Sequence, residues 1–459
     1  MSDFRIEKDS MGELQVPADA LYGAQTQRAV NNFPMSGITM PKAFIKALGL
    51  VKKAAAQANE QLGHLPQNKS QAIQSAADQI ISGEMDSHFP IDVFQTGSGT
   101  SSNMNCNEVI AHLASTDELI IHPNDHVNMG QSSNDVVPTA IAVSTAMDVA
   151  QNLIPAMHTF VASCRSKAKQ LDTVVKTGRT HLMDAMPVTF GQELNTWAST
   201  VQTNVDRFTD CLKRVCQLPQ GGTAVGTGIN ADSQFGEVFA TKMSQLTGLK
   251  FSSMTNKFDG ISTQDNIVEL SGQLKVLAST LMKIVNDLRW MNSGPLAGIA
   301  EIELPSLQPG SSIMPGKVNP VIPEAVAMIC AQVIGNDSTV TVAGQSGNFQ
   351  LNVMLPVIVY NTLQSIDILT SGLQQTAKQC IDGFTVNHDK VSESVGKNPI
   401  LVTALNPVIG YELGAKIAKK AYQEKRSVIE VTKEMTDLSE QEIKEILNPI
   451  KLTRGGLEK

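Results

Sequence analysis

The chain changes character after its first third, where windows nearly free of proline and glycine begin. These windows cover residues 156–177, 188–218, 261–292 and 357–381. Each window is long enough to form one extended helix, because little inside it interrupts helical hydrogen bonding. The pattern therefore predicts a mainly α fold.

The third window carries the clearest apolar pattern, with spacings that alternate between three and four residues. The apolar residues are Ile267, Leu270, Leu274, Leu277, Leu281, Ile284, Leu288 and Met291. This spacing is typical of a coiled-coil-like seam, which packs against neighbouring helices and binds no cofactor. We therefore expect a long central helical bundle.

The two ends of the chain differ from this central part. Prolines and polar turns interrupt the first stretch, which has a short helical pattern at residues 43–61. The last stretch is richer in charge, with short helical patterns at residues 412–424 and 440–447. We therefore predict three domains: an N-terminal mixed, loop-rich domain (1–130), a central long-helix bundle (131–388) and a small C-terminal helical domain (389–459).

Charged residues make up 17% of the chain, against about 25% in a typical soluble protein. A monomer of this size needs more charge at its surface, so the composition favours helices covered by other subunits. The net charge of −8 comes without a basic run, which argues against nucleic acid or anionic membranes as partners.

Targeting and redox signals are also weak. The first 14 residues mix charges with single apolar residues, and no uncharged apolar run approaches a membrane span of about 18 residues. We expect a cytoplasmic protein. Its six scattered cysteines form no CxxC pair or zinc-like cluster, which predicts buried reduced thiols and no metal site.

Two glycine-rich segments resemble nucleotide-binding motifs but lack residues that those motifs require. At residues 310–318 five residues separate Gly310 from Gly316 instead of four, and Val318 replaces the Mg²⁺-binding hydroxyl of a phosphate loop. The segment 96–103 lacks the third glycine of a dinucleotide fingerprint. Gly221, Gly222, Gly226 and Gly228 are expected to turn the chain between helices.

Four polar clusters interrupt the helical and turn-like sequence, at residues 96–107, 122–134, 178–184 and 308–324. They are rich in Ser, Thr, Asn and His and poor in carboxylates. Loops on a rigid scaffold often carry function. This composition suits a small anionic substrate that is held by neutral donors and one cation, for which Lys317 is the candidate.

The cluster around residue 310 resembles a known family. Its sequence, Gly-Ser-Ser-Ile-Met-Pro-Gly-Lys-Val-Asn-Pro at 310–320, is similar to the signature loop of the fumarase/aspartase superfamily. That superfamily also contains aspartate ammonia-lyase, argininosuccinate lyase, adenylosuccinate lyase and a muconate cycloisomerase. The loop therefore indicates the superfamily more than the substrate.

Other segments resemble the fumarases within that superfamily. Aspartate ammonia-lyases carry Gln where His181 stands and usually Ala where Gly316 stands. The segments 97–105 and 132–135 also match fumarases in order and spacing, so the resemblance covers nearly the whole chain. Met183, Ser101 and Pro323 depart from the common fumarase pattern.

The resemblance implies reversible hydration of fumarate to malate without a cofactor, in a homotetramer whose active sites combine loops of three chains. It implies that Ser311 is the carbon base, acting as an alkoxide that Lys317 and backbone N–H groups around Gly316 stabilise. His181 acts on the oxygen side as proton donor and acceptor. The resemblance also places Glu324 beside His181, where it would fix the tautomer of the imidazole.

The resemblance also assigns residues that contact the substrate. They are Ser98, Gly99, Thr100, Ser132, Ser133, Asn134, Thr180, Ser312, Lys317, Val318 and Asn319. The segment His122, Pro123, Asn124 and Asp125 resembles a secondary dicarboxylate site of the family. Singly, each polar residue has an ordinary structural explanation as a cap, a turn or a solvated charge, and only their occurrence together favours an active site.

Two alternatives stay open at this point. Another lyase of the superfamily, chiefly aspartate ammonia-lyase, would require ammonium for activity. A non-catalytic structural protein is the other, because the superfamily includes a lens crystallin recruited from a lyase. Intact Ser311, His181, Lys317 and Glu324 argue against the second alternative.

Overall fold

The computed structural model describes residues 4–456. Its α-helices are α1 (Ala24–Asn32), α2 (Lys42–Gln61), α3 (Gln67–Ser82), α4 (Thr100–Ala114), α5 (Ser133–Asp148), α6 (Ile154–Gln170), α7 (Phe190–Val215), α8 (Phe235–Thr247), α9 (Lys257–Ser262), α10 (Asp265–Met291), α11 (Val321–Gly344), α12 (Leu355–Gln375), α13 (His388–Lys397), α14 (Asn406–Ile409), α15 (Tyr411–Glu424), α16 (Val428–Met435), α17 (Glu440–Ile446) and α18 (Pro449–Leu452). The mainly α prediction is confirmed.

The strands form two-stranded pairs. They are β1 (Phe4–Asp9) with β2 (Gly12–Pro17), β3 (Val175–Thr180) with β4 (Met183–Thr189), β5 (Gln217–Leu218) with β6 (Ser252–Ser253), and β7 (Ile302–Glu303) with β8 (Thr385–Val386). The β5–β6 pair is parallel and the others are antiparallel. Short π-helical turns cover Pro123–Val127, Val149–Leu153 and Thr376–Ile381, and 3₁₀ turns cover Asp86–His88 and Pro399–Leu405.

Helix α10 confirms the seam that its sequence predicts. All eight apolar residues of the alternating pattern are buried, with exposed fractions of 4% or less. Asp265 lies in the first turn and Arg289 in the last, where each charge is favourable for the helix dipole. Helix α7 also falls within its predicted window, and α12 matches its window except that it begins two residues earlier, at Leu355.

The first predicted window is partly wrong. Helix α6 ends at Gln170, and strand β3 begins at Val175. β-Branched Val174, Val175 and Thr177 cluster there, and such side chains favour strands over helices. The residues after Gln170 therefore pair with β4 as a hairpin.

Helix α11 has no counterpart among the predicted windows. Pro323 lies in the first turn of α11. The backbone N–H groups of the first turn have no partner within the helix, so proline costs little there. The helix continues through Gly335 to Gly344.

Two compact units make up the fold. One comprises the residues up to Pro155, Asn204–Ala278 and Ile329–Thr370, and the other comprises Ala156–Thr203, Ser279–Met328 and the residues from Ser371 onward. The second unit includes a small core of α15, α16, α17 and the turn Pro399–Leu405, where Leu405, Val431 and Ile443 are fully buried. The three-domain division at residues 130 and 388 stays a prediction.

Helix α11 is long and apolar enough, by length and composition alone, to cross a membrane. A core helix of a water-soluble protein passes the same test. Asp337 in α11 is 4% exposed, and its carboxylate accepts from the Lys275 ammonium at 2.5 Å and from the Ser271 hydroxyl at 2.9 Å. Such a charged pair is costly in a lipid environment.

The cysteines mostly follow their prediction. All six are free, five of them are buried and Cys216 is partly exposed. Burial raises the pKa of Cys330 and of Cys216 to about 11, so these thiols stay protonated at neutral pH. They behave as small apolar side chains of the core.

Candidate active site

In the first unit, the start of helix α4 depends on two glycines. Gly99 has φ +74°, and a Cβ there would lie 2.7 Å from Cγ1 of Val137. A Cβ at Gly97 would lie 1.7 Å from the Val353 carbonyl oxygen. No other residue fits such close contacts, so the glycines let the chain turn sharply into α4.

This turn presents the first predicted ligands. The Ser98 and Thr100 hydroxyl oxygens lie 2.8 Å apart. Ser98 is buried and Thr100 is partly exposed. Both hydroxyls lie at the N-terminus of α4, where unpaired backbone N–H groups and the helix dipole favour an anion.

The second group of predicted ligands begins helix α5. The Ser132 hydroxyl accepts the N–H of Asn134 at 3.2 Å, and the Asp135 carboxylate accepts the N–H of Ser132 at 2.9 Å. The Asn134 side chain donates to the carbonyl of Ala224 at 2.8 Å. Ser132 and Asp135 form a capping box, which fixes the residues between them.

A side-chain hydrogen bond connects these two helix N-termini. The amide of Asn103, one turn into α4, donates to the Ser133 hydroxyl at 2.9 Å. The structure therefore brings residues 98–100 and 132–134 together in the first unit. Two helix N-termini that lie side by side attract carboxylate groups.

The predicted secondary site forms a π turn in the same unit. Nδ1 of His122 accepts the N–H groups of Asn124 at 3.3 Å and Asp125 at 3.1 Å. Nδ1 of the nearby His126 accepts the N–H of His122 at 2.8 Å. Burial and the neighbouring Lys69 ammonium lower the pKa of His126, so its ring is neutral at pH 7.

In the second unit, His181 lies at the tip of the β3–β4 hairpin. Thr180 pairs with Met183, so His181 and Leu182 are the two turn residues. Their φ angles are +56° and +60°. Positive φ at both positions is characteristic of a type I′ hairpin turn, which usually selects Asn-Gly. His181 and Leu182 are therefore strained, as residues at functional sites often are.

The hairpin is shaped and anchored below its tip. A Cβ at Gly178 would lie 2.5 Å from the Met186 carbonyl oxygen, at an irregularity in the strand pairing. The Arg179 guanidinium donates to the buried Glu301 carboxylate at 2.6 Å. The Lys176 ammonium lies 2.9 Å from Glu301. Thr180 and His181 are exposed, so a rigid base presents a free tip.

The loop at residues 310–320 is closed by its own backbone. Gly310 donates its N–H to the Lys317 carbonyl at 2.8 Å, and the Asn319 amide donates to the Gly310 carbonyl at 2.8 Å. A Cβ at Gly310 would lie 2.5 Å from the Lys317 carbonyl oxygen, and Gly316 has φ +81°. The two glycines allow this compact loop.

Ser311 lies within this loop, and its hydroxyl oxygen is an acceptor. It receives the N–H of Ile313 at 3.2 Å and the N–H of Met314 at 3.0 Å. Two N–H groups that point at one oxygen stabilise negative charge on it. The resemblance predicts that Lys317 and the backbone near Gly316 supply positive potential at Ser311. In the structure, the N–H groups at the Ser311 oxygen are those of residues 313 and 314.

Several predicted residues line one cleft of about 1390 Å³ in the second unit. The predicted residues are Lys317, Val318, Asn319 and Glu324. Arg289 and Trp290 of α10, which the sequence did not predict as site residues, also line the cleft. Ser312 is exposed in the same loop and does not line this cleft. Within residues 4–456, neither Ser311 nor His181 lines this cleft, and no hydrogen bond joins His181 to Glu324.

The sequence interpretation missed two groups of supporting residues. One is the network of Lys176, Arg179, Glu193 and Glu301 below the His181 hairpin, in which Lys176 lies 2.9 Å from Glu193. The other is buried Lys52 in α2. A charge on the apolar face of a helical pattern, between Leu48 and Ala55, is a signal that could have identified Lys52.

Comparisons with known proteins show the family to which the chain is similar. A family model described as Lyase matches residues 12–335, and one described as Fumarase C C-terminus matches residues 401–454. The chain is 57% identical over 455 residues to the class II fumarate hydratase of Xylella fastidiosa (strain Temecula1), covering 99% of this chain and 96% of that protein. It is 57% identical over 459 residues to class II fumarate hydratase 2 of Pseudomonas aeruginosa, covering 100% of both.

A solved structure is also similar. The crystal structure of recombinant class II fumarase from Schistosoma mansoni has a TM-score of 0.95 to this chain at 38% identity, covering 98% of this chain and 99% of that one. The likeness extends over both compact units. The fumarase/aspartase-like fold that the sequence predicts is therefore confirmed.

Proposed function

The chain belongs to the lyase family of the class II fumarate hydratases, and we propose that Ser311 and His181 are its acid–base pair. It is a hydro-lyase that adds water reversibly to fumarate to give (S)-malate, a reaction of the tricarboxylic acid cycle. The observation that carries our assignment is the pair of backbone N–H groups on the Ser311 hydroxyl oxygen.

The first step of malate dehydration removes a proton from the carbon next to a carboxylate. That proton is weakly acidic, and a neutral hydroxyl is too weak a base to remove it. The N–H groups of Ile313 and Met314 favour the alkoxide of Ser311. The Ser311 oxygen takes the proton, and the C–H electron pair moves into the carboxylate to form a dianionic aci-carboxylate.

The second step breaks the C–O bond and needs an acid. His181 donates a proton to the departing hydroxyl, which leaves as water, and the electron pair of the aci-carboxylate forms the double bond. In hydration the same imidazole removes a proton from water. Histidine suits this role because its usual pKa is near working pH. The exposed position of His181 on a rigid hairpin leaves its ring free to reach a substrate.

The carboxylates of the substrate need fixed donors. We assign this role to Ser98, Gly99, Thr100, Ser132, Ser133, Asn134, Thr180, Ser312, Lys317, Val318 and Asn319. Support comes from the two joined helix N-termini in the first unit and from the closed loop around Lys317 in the second. The aci-carboxylate group carries two negative charges where the carboxylate of malate carries one, so fixed donors stabilise the intermediate more strongly than the substrate.

We further propose a homotetramer in which each active site combines loops of three chains. Helix α11 supports subunit contact, because its apolar Met328, Ile334 and Val342 are 69%, 41% and 54% exposed in the single chain. Such a surface is unfavourable in water and is typical of an interface. Glu324 meets His181 in this proposal through another chain.

Two finer assignments complete the proposal. We assign His122, Pro123, Asn124 and Asp125 to a secondary dicarboxylate site, which the resemblance of this segment supports. We also assign the protein to the cytoplasm. Asp337 and its charged partner in α10 favour packing of α11 against protein rather than lipid.

The decisive test follows the ultraviolet absorbance of fumarate with purified protein, without ammonium and then with it. We expect fumarate to convert to malate at the same rate in both conditions. Ser311→Ala and His181→Asn should each lower kcat by about 10²-fold or more. Activity only with ammonium would identify an aspartate ammonia-lyase instead. Wild-type activity in either variant would reject that residue's role.

A further inference from the structure

Lys52 is a charged residue in the interior of the first unit. It lies in α2 and is 0% exposed, and the apolar residues Leu48, Val51 and Ala55 around it on the same helix face are also fully buried. A buried ammonium is costly unless partners satisfy it. The position therefore requires an explanation beyond packing.

The Lys52 ammonium holds the segment that leads into helix α5. Nζ donates to Oδ1 of Asn128 at 2.9 Å and to Oε1 of Gln131 at 3.0 Å. Asn128 Nδ2 donates to the Gln131 carbonyl at 3.2 Å, and Gln131 Nε2 donates to the carbonyls of Val127 and Met129 at 3.1 Å each. Lys52 thus fixes the turn immediately before Ser132.

The same network reaches helix α4. Oδ1 of Asn128 also accepts from the amides of Asn103 at 3.3 Å and Asn107 at 3.2 Å. Asn103 in turn donates to the Ser133 hydroxyl at 2.9 Å. The ammonium of Lys52 is therefore connected to both helix N-termini that carry the proposed carboxylate ligands.

Helices α3, α4, α5 and α8 pack against α2. The titratable groups that act on Lys52 are Cys106 of α4 and Asp135 of α5. Burial raises the pKa of Cys106 to about 12, so this thiol is neutral. Burial raises the pKa of Asp135 to about 6, and burial lowers the pKa of Lys52 to about 8. Both are charged near pH 7.

Asp135 does not cancel the effect of Lys52 on a bound anion. Its carboxylate already accepts the backbone N–H groups of Ser132, Gly221 and Thr223, each at 2.9 Å. These donors compensate the negative charge locally. Within residues 4–456, the hydrogen-bond acceptors of the Lys52 ammonium are neutral amide oxygens, so its field extends towards the helix N-termini.

We propose that Lys52 is a positioning residue for substrate binding. It fixes residues 98–100 and 132–134 relative to each other and adds a buried positive charge beneath them. The inference rests on the proposed function, because it assumes that these segments bind the carboxylates of the substrate. A buried charge is screened little by salt, so its effect persists at physiological ionic strength.

The test compares Lys52→Met with Lys53→Met in the full-length protein. Methionine keeps the length of the side chain and removes the charge and the donors. Lys53 is the matched control, because it is the neighbouring cation of α2 and pairs with Asp78 of α3 at 2.6 Å. Circular dichroism and sedimentation establish that each variant folds and assembles as the wild type does.

We expect Lys52→Met to raise KM for fumarate about tenfold, as loss of one unit charge at an intermediate dielectric constant does. The kcat should change less than about threefold, because the residue contacts no reacting atom. In the wild type KM should also rise between about pH 7 and pH 9, as Lys52 loses its proton near pH 8. Lys52→Met should lack this rise, and Lys53→Met should match the wild type.

A folded Lys52→Met with wild-type KM and pH profile would overturn the inference while leaving the proposed function intact. A wild type without fumarate hydration would overturn both. If Lys52→Met does not fold, Asn128→Asp decides the question, because it places a negative charge on the ammonium and keeps an acceptor there. Its KM should rise in the same direction, and an unchanged KM would reject the role of Lys52.

Discussion

The carboxylate of Glu301 accepts a hydrogen bond from the guanidinium of Arg179 at 2.6 Å, two residues before His181. Glu301 is 1% exposed, and the ammonium of buried Lys176 lies 2.9 Å from it. Glu301 immediately precedes strand β7, which pairs with β8. One buried carboxylate therefore holds the base of the hairpin whose tip carries the proposed acid.

Replacing this carboxylate should weaken both the fold and the reaction. Glu301→Gln leaves the charges of Lys176 and Arg179 without their shared partner, which should lower the free energy of unfolding by about 3 kcal/mol. We expect kcat to fall more than KM rises, because His181 loses its fixed position. Urea denaturation and steady-state kinetics measure the two effects.

The control is Glu303→Gln, two residues further along, where the side chain is exposed. It should leave stability within about 0.5 kcal/mol of the wild type, as surface substitutions usually do. Equal stability and kinetics for Glu301→Gln and Glu303→Gln would mean that the buried carboxylate does not position the hairpin.

The strain at the hairpin tip gives a second prediction. Leu182 has φ +60° and is 65% exposed. A leucine in this region costs about 1–2 kcal/mol, and glycine adopts the same conformation freely. Leu182→Gly should therefore raise the free energy of unfolding by about 1 kcal/mol.

Met183→Gly is the matched control, because Met183 is similarly exposed but lies in strand β4. Glycine in a strand is destabilising by about 0.5–1 kcal/mol. Denaturation of both variants gives the comparison. A loss of stability in both would show that the backbone at Leu182 is not strained in solution.

The sequence predicts the long helices well and the hairpin poorly. The seam in α10 repeats over eight positions, so its periodicity is strong enough to indicate a buried helix face. Strand β3 has only six residues. It follows helix α6 so closely that the window without proline and glycine continues from the helix into the strand. Positive φ at His181 is set by strand pairing, which no local pattern contains.

The candidate site is predictable residue by residue only through the resemblance of its loops to a family. Local sequence cannot give the donors to the Ser311 hydroxyl oxygen, because they depend on how the loop folds back. Similarly, Lys52 reaches its partners across 76 and 79 residues of sequence. Contacts of this kind are tertiary and have no periodic signal.

The buried carboxylate of Asp135 predicts a pH-dependent stability. Burial raises its pKa from 3.8 to about 6, so the folded protein binds a proton more strongly than the unfolded chain. Stability from this group therefore rises as pH falls through the window from about 6 to about 4. The shift corresponds to about 3 kcal/mol in total.

Asp135→Asn isolates this contribution from carboxylates such as Asp9 and Asp92, whose lowered pKa values act in the opposite direction. The variant cannot take up the proton, so its loss of stability should be about 2 kcal/mol larger near pH 4.5 than near pH 7. Denaturation at both pH values tests this. The exposed Asp117→Asn controls for loss of one negative charge. A pH-independent difference for Asp135→Asn would contradict the raised pKa.

The exposed apolar side chains of helix α11 give the last prediction. In the single chain, Met328, Ile334 and Val342 are each more than 40% exposed. Val342 is 54% exposed, in the half of α11 whose opposite face is fixed by contacts such as the Asn336 amide to the Gln364 side chain at 2.9 Å. Val342→Lys should therefore spare the fold of the chain and place a charge in the proposed interface, where an unpaired charge is unfavourable.

We expect Val342→Lys to sediment as smaller species than the wild type at micromolar concentration and to lose most activity, because each proposed site needs loops of three chains. Tyr422→Lys is the control, since Tyr422 of α15 is 77% exposed and lies outside the proposed interface. It should assemble and react as the wild type does. A dissociated Val342→Lys with full activity would show that one chain forms the whole site, and an intact assembly would place the interface on another surface.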